Sequence, residues 1–402
     1  MAFFLTCLRP DVPPDTAATR VAKWLFAVAG LALSGPVLAA EFQPEALGQI
    51  AELPSPNPDH WVVIHDLSFN HMREGKLYLV DPSAESIGGQ MRGIMSADFI
   101  ASFASSASRN EYYVIETFHS RGGRGGERTD VVSIYDPATL SVTAEIVIPS
   151  KRLTGMPNRY QTALVDDDRY LLIYNFTPSQ SVTVVDLEER SVLGEVATAG
   201  CTFTFPTGKR GFSSLCSDGG MLTTRLKKDG SLADTSRIAP FNDVINDAMF
   251  ARPAEIDGTF YFPTFTGNVV PIDMGGEEAE VGESWSLVTA AERKAGWRPG
   301  GPWPTVGMPD GRMFVLMHAD GGEGTHKNGG DQVWIFDADK GERIGQIELA
   351  RWGVALGASA AEEPQLLVTG AEPVVDVYAN DGTHVRTLAV QASTPLLVFG
   401  VR

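Results

Sequence analysis

Short apolar runs of strand length recur along the chain with a period of roughly fifty residues. Five of them end in an acidic turn: LYLVD at 77–81, VSIYD at 132–136, VTVVD at 182–186, VVPID at 269–273 and VWIFD at 333–337. TTRLKKDG at 223–230 and VDVYANDG at 375–382 keep the strand and the turn but lose the strand-final Asp. These copies together predict seven units. Within a unit, four runs rich in Val, Ile, Tyr, Phe and Thr are separated by Gly, Pro and Asp, most clearly from Gln161 to Ala197. That pattern predicts a four-stranded antiparallel sheet. Repetition of such a sheet predicts an all-β chain folded as a seven-bladed β-propeller. The first unit is one strand short, and the run TPLLVFGV at 394–401 remains over at the C-terminus. It is expected to enter the first blade as its innermost strand and close the ring without an exposed edge.

A chain of 402 residues, 43% hydrophobic, can bury a large core, and a propeller uses that length as one domain, here 41–402. The N-terminus reads differently. Arg20 and Lys23 precede the apolar run Trp24–Leu33, and Pro36 to Ala40 supplies small residues suited to cleavage, so residues 1–40 are expected to be a secretory signal peptide. The run is far shorter than the ~20 apolar residues that a membrane span needs. Of the three cysteines, Cys7 falls in that leader, leaving Cys201 and Cys216 on neighbouring strands of the fourth unit. A structural disulfide is expected; metal or redox roles would want CxxC spacing or nearby His ligands. The excess of 50 Asp and Glu over 32 Lys and Arg argues against nucleic acid and anionic membranes as partners.

Loop length separates the two faces of such a propeller. Turns between first and second and between third and fourth strands are short, as in DDD, EIDG and MPDG, whereas the other face carries Asp66–Gly75, His119–Asp130, Val288–Pro302 and Ala319–Gly330. Long loops on one rim of a rigid scaffold are where binding concentrates. SRGGRGGERTD at 120–130 lacks the strand and helix of a phosphate-binding loop and is expected to be a flexible docking loop. His60, His65 and His71, like His318 and His326, lack metal-ligand spacing, and no GxSxG elbow is present. Thr289 and Glu292 are placed for a capping box, with Trp297 and Trp303 flanking the exit of the short helix that follows. Tryptophans beside an Arg on a rim suit a protein contact, although they equally suit packing beneath the loop.

GERTDVVSIYDPATL at 126–140, FPTFTGNVVPID at 262–273, TAAERKAGWRPGG at 289–301 and the stretch from His326 to Ile344 resemble the heavy subunit of tryptophan tryptophylquinone-dependent amine dehydrogenases, the methylamine and aromatic-amine enzymes. The resemblance implies a periplasmic enzyme of two heavy and two light chains. It oxidises primary amines to aldehyde and ammonia and passes electrons to a blue copper protein or a cytochrome. The resemblance also places the quinone cofactor and the catalytic carboxylate on the light subunit, so that this chain holds no cofactor, metal or catalytic residue. HDLSF is similar to the segment whose Phe lines the substrate channel in that family, which makes Phe69 the expected channel residue. Arg128, Trp297, Arg298, His326 and Lys327 are the expected light-chain contacts. INDAMFA at 245–251 departs from the family pattern, with Asp247 and Ala248 where a His-Pro pair is usual. The alternative reading is a stand-alone periplasmic propeller that binds a ligand or partner without catalysis; a propeller lactonase or a pyrroloquinoline quinone dehydrogenase finds no matching residues.

Overall fold

The computed structural model describes residues 52–69, 74–123, 125–153 and 155–401; the expected signal peptide and His71 lie outside them. Ile50–Arg402 forms one compact unit built almost entirely of antiparallel strands. Five discrete blades are present. The first orders Pro395–Gly400, Val62–Asp66, Gly75–Val80 and Met91–Ala97. The C-terminal strand therefore lies against Val62–Asp66, pairing Val63 with Phe399 and Ile64 with Val398. The second runs from Ser102–Ser106 to Val142–Ile148, the third from Thr162–Val165 to Ser191–Ala197, and the fourth from Cys201–Thr207 to Leu232–Ile238. In the fifth, Asn268–Asp273 takes both Glu280–Val281 and Trp285–Ser286 on its outer edge.

The expectation of seven four-stranded blades is corrected here: the propeller has five discrete blades, and the strands from Arg298–Pro299 to His384–Leu388 form a single eight-stranded sheet. Its continuity lies in Glu342–Ala358, a strand of 17 residues. Its first half pairs with Gly330–Asp337 and its second half with Leu366–Gly370. The links that follow the second to fifth blades each carry a Pro or a residue at positive φ, as at Gly200 with φ +81°, whereas the link 98–101 after the first blade carries neither. The stretch 349–353 has neither, so nothing in it interrupts an extended backbone.

The repeat marker has a local cause. In each of the five full copies the strand-final Asp accepts a backbone N–H two or three residues ahead. The donors are Ser83 to Asp81 (2.9 Å), Ala138 to Asp136 (2.6 Å), Glu188 to Asp186 (2.9 Å), Gly275 to Asp273 (2.8 Å) and Lys340 to Asp337 (3.1 Å). The carboxylate does the work of a backbone acceptor at the tight turn. In the two degenerate copies Asp229 and Asp381 do the same from inside the turn. Central strands such as Tyr170–Asn175 and Ser181–Asp186 are buried along their whole length, because neighbouring sheets cover both faces. Outer strands such as Ser191–Ala197 are mostly exposed. The core therefore lies between sheets, as where Val63 and Leu77 of the first blade meet Phe103 and Val114 of the second. Cys201 and Cys216 are cross-strand partners and form a disulfide.

Candidate functional site

The turns joining second to third strands, together with the links between sheets, share one face of the propeller, and the sequence-predicted site residues fall there. Asp66 ends the strand Val62–Asp66 and is buried. Its Oδ1 accepts from the amides of Ser68 (2.9 Å) and Thr394 (2.7 Å), and its Oδ2 from Ser393 (2.8 Å). One carboxylate thus ties the Leu67–Phe69 turn to the segment that enters the closing strand. Phe69 stands beyond it at 49% exposure. Its amide donates to Thr394 Oγ1 (3.2 Å), and its ring lies 6.4 Å from that of Phe99.

The Gly-rich segment differs from a flexible loop. Glu111–Gly123 and Arg128–Tyr135 pair as far as His119 opposite Arg128, so the hairpin projects as an extended ribbon with Phe118 exposed on it. Arg128 grips the buried Asp130 bidentately, 2.7 Å from each oxygen, a geometry that fixes the guanidinium within the chain. Beside it Arg152 is buried. It donates to Thr117 Oγ1 (2.9 Å), the Ile100 carbonyl (3.0 Å) and Asp98 Oδ2 (3.3 Å), tying its own link to the link 98–101 and to the strand Glu111–Gly123. Glu116 lies under the same hairpin, accepting from Ser133 Oγ at 2.6 Å. Burial pushes Glu116 up to about 7, opposed by the Ser133 hydroxyl and reinforced by Asp98. Burial holds the neighbouring His65 down at about 4.

Across the ring on the same face, Thr289 and Glu292 form the capping box of the helix Ala290–Lys294, and Arg343 anchors Glu292 at 2.6 Å. Trp297 is half-buried, its ring 5.1 Å from that of Trp334, while Trp303 is wholly buried. Arg298 leaves the same turn and lies 4.5 Å over the ring of Phe265, and His326 meets that ring edge-on at 6.1 Å. Phe265 is the residue that gathers them, and its signal was an aromatic between two Thr at a turn, in TFTG. Burial, then Lys327 and Arg252, lowers the pKa of His326; burial and Arg298 lower that of His318. Both rings are therefore neutral near pH 7, and the positive charge at this corner belongs to Arg298, Lys327 and Arg252. The structure brings Arg298 and His326 together with Lys327 adjacent, sets Trp297 behind them, and leaves Phe69 and Arg128 on the far side of the ring.

Exposed apolar side chains complete the face. Apart from positions on outer strands and the turns that serve them, the large exposed hydrophobics are Phe69, Phe118, Met156, Phe176, Val244, Ile245 and Trp352. Five of them lie on second-to-third strand turns or on links between sheets, while Phe118 lies in the strand Glu111–Gly123 and Trp352 in Glu342–Ala358. Ile245 is 85% exposed, held out by a turn in which Asp243 Oδ1 accepts from the amides of Ile245 and Asn246. Among the described residues no group of three or more His, Cys, Asp or Glu is arranged to hold a metal, and no helix is long and apolar enough to cross a membrane.

Comparison with known proteins identifies the family. The chain is 29% identical over 394 residues to the methylamine dehydrogenase heavy chain of Methylorubrum extorquens, covering 93% of this chain and 94% of that one. It is 27% identical over 370 residues to the protein of that name from Methylobacillus flagellatus, covering 88% and 90%. Among solved structures, the periplasmic gluconolactonase of Pseudomonas aeruginosa superposes with a TM-score of 0.56 at 14% identity, covering 85% of this chain and 99% of that one. A putative 6-phosphogluconolactonase of Bacteroides fragilis does so at 0.57 and 9%, covering 85% and 98%. At such identities the likeness is one of fold alone. The sequence model of the family described as methylamine dehydrogenase heavy chain matches residues 62–398, and the chain belongs to that family.

Proposed function

We propose that this chain is the heavy subunit of a periplasmic amine dehydrogenase and acts as the scaffold on which a light subunit docks. The reaction of the whole enzyme would convert a primary amine and water into an aldehyde and ammonia, releasing two electrons and two protons. Tryptophan tryptophylquinone on the light subunit would supply the electrophilic carbonyl and accept the electrons, and a blue copper protein or a cytochrome would then remove them. This chain would contribute no acid, base or cofactor. Its share is to enclose the site and shape the approach of the amine, with Phe69 at the channel. Trp297, Arg298, His326 and Lys327 would meet the light chain on one side of the face, and Arg128 would brace the hairpin on the other. The carrying observation is the family match over residues 62–398, and exposed apolar side chains such as Phe69, Phe176 and Ile245 on the turns and links of one face support it. The test is to express the chain alone and together with a small, disulfide-rich light chain encoded beside it. Dye-linked amine oxidation is expected only from the pair, which should elute as a heterotetramer. Turnover by this chain alone, or failure of the two to associate, would overturn the reading.

A further inference from the structure

The axis of the propeller holds a second feature, which the docking face does not use. The link between the second and third blades sends Arg159 and Tyr160 into the axial channel. The Tyr160 ring lies 4.7 Å from Phe205, 5.6 Å from Phe260 and 6.1 Å from Trp303, which come from three different sheets. The Arg159 guanidinium stacks 4.6 Å over Trp303 and 5.7 Å over Phe399. Its Nη2 donates to the carbonyls of Leu356 (3.0 Å) and Val398 (2.6 Å), on two innermost strands. Its described hydrogen bonds go only to main-chain carbonyls, and its Nε is buried without an acceptor. The residue is half-buried, and Glu255 is a negative group that acts on it. Burial accordingly lowers its pKa to about 10, against the Tyr160 and Glu255 charges.

Arg159 and Tyr160 form one wall of a cavity of about 470 Å3, a volume typical of small-molecule sites. Its mouth includes Asp257 and Pro309, on turns between first and second strands, so it opens away from the docking face. Glu255, from the strand Ala254–Ile256, is exposed into it, 3.5 Å from the Tyr160 hydroxyl. Ile256, Val306 and Met308 supply an apolar part of the wall beside Asp257 and Ser359. A fixed cation, a carboxylate beside it and an apolar wall describe a ligand with one negative group, one positive group and a short hydrocarbon side chain. The two wall carboxylates disfavour a dianion, and a simple amine leaves Arg159 unmatched.

We propose that the axial cavity binds a free α-amino acid, with its carboxylate on Arg159, its ammonium on Glu255 and its side chain against Ile256 and Met308. This proposal does not depend on amine oxidation or on a light subunit, and is tested on the full chain by itself. Titration calorimetry and thermal shift would compare valine with 3-methylbutanoate, which lacks the amine, and with isobutylamine, which lacks the carboxylate. Valine is expected to bind saturably at one site and to raise Tm. Each truncated analogue should bind about tenfold more weakly or worse, the loss expected for one charge-assisted hydrogen bond. Arg159→Gln should weaken valine by a similar factor, and Glu255→Gln should remove the preference for valine over 3-methylbutanoate. If Arg159→Gln does not fold by circular dichroism, the Glu255→Gln comparison decides alone. No saturable valine binding, equal binding of 3-methylbutanoate, or an unchanged preference in Glu255→Gln would overturn the proposal.

Discussion

Phe69 and Glu116 sit within the same part of the face and predict opposite kinds of result. Phe69 is half-exposed and contacts little beyond Phe99, so Phe69→Ala should change stability by less than about 0.5 kcal/mol. In the assembled enzyme it should shift the ratio of turnover between small and aromatic amines, since removing a ring from a channel wall alters sterics and not chemistry; an unchanged ratio would remove Phe69 from the channel. Glu116 is buried and faces Ser133, Asp98, Arg152 and Glu145. Its folded-state pKa of about 7 lies above the unfolded value near 4.5. The folded protein therefore holds a proton that the unfolded chain releases, and this contribution is full below about pH 4.5 and lost as pH rises through 7. The span corresponds to at most about 3 kcal/mol. His65 acts with the opposite sign, since its pKa is lowered and stability falls as pH drops from 6.5 toward 4. The difference between wild type and Glu116→Gln isolates the carboxyl. Denaturant unfolding across pH 4.5 to 8 should show the variant gaining relative to wild type as pH rises, and a constant difference would refute the assignment.

Among elements, the hairpin holding Cys201 and Cys216 carries the clearest expectation. The two residues are 15 apart in sequence, and closing a loop of that length restricts the unfolded chain by about 3 kcal/mol in the chain-entropy model. Reduction, or replacement of both cysteines by Ala, should lower stability by up to that amount without removing the fourth blade, whose strands pair in full. Thermal melts with and without reductant, with mass spectrometry of native material, check this; two free thiols would end the argument. Element boundaries were legible where a local rule sets them. The strand-final Asp marks its turn because it supplies the acceptor that the turn needs, and Thr289 with Glu292 marks a helix start for the same kind of reason. The Gly-rich segment is more ordered than its composition suggests because the amides of Ser120 and Arg121 donate to the carbonyls of Glu127 and Gly125 and prolong the hairpin.

At the level of the whole molecule, Ile245 and Trp297 test the docking face in different ways. Ile245 protrudes almost free of the fold, so Ile245→Asp should leave stability within about 0.5 kcal/mol while weakening association with the light chain, read by size-exclusion chromatography. Trp297 packs on Trp334 and on the cluster of Ala254, Val269 and Met317, so Trp297→Ala should lower stability as well as assembly. If neither substitution alters assembly, the light chain does not use this face. The acidic surplus of the chain is consistent with such a division, since the short turns of the opposite face carry Asp166 to Asp168, Glu277, Glu278, Glu362 and Glu363.

The sequence by itself determined the strands, the turns that end them, the disulfide pair and the family, because each depends on neighbours within about twenty positions or on motifs that survive as short strings. Tertiary structure alone decided three things. It ran the last repeats into one sheet through Glu342–Ala358, since whether a link breaks depends on the pairing offered to both its halves. It collected Phe69, Phe176 and Ile245 on one face, although each is an isolated apolar residue in its own stretch. It also carried Arg159 to the axis beside Glu255, Leu356 and Val398, residues up to 239 positions away. No local period encodes such meetings, because ring closure creates them only after every sheet has formed.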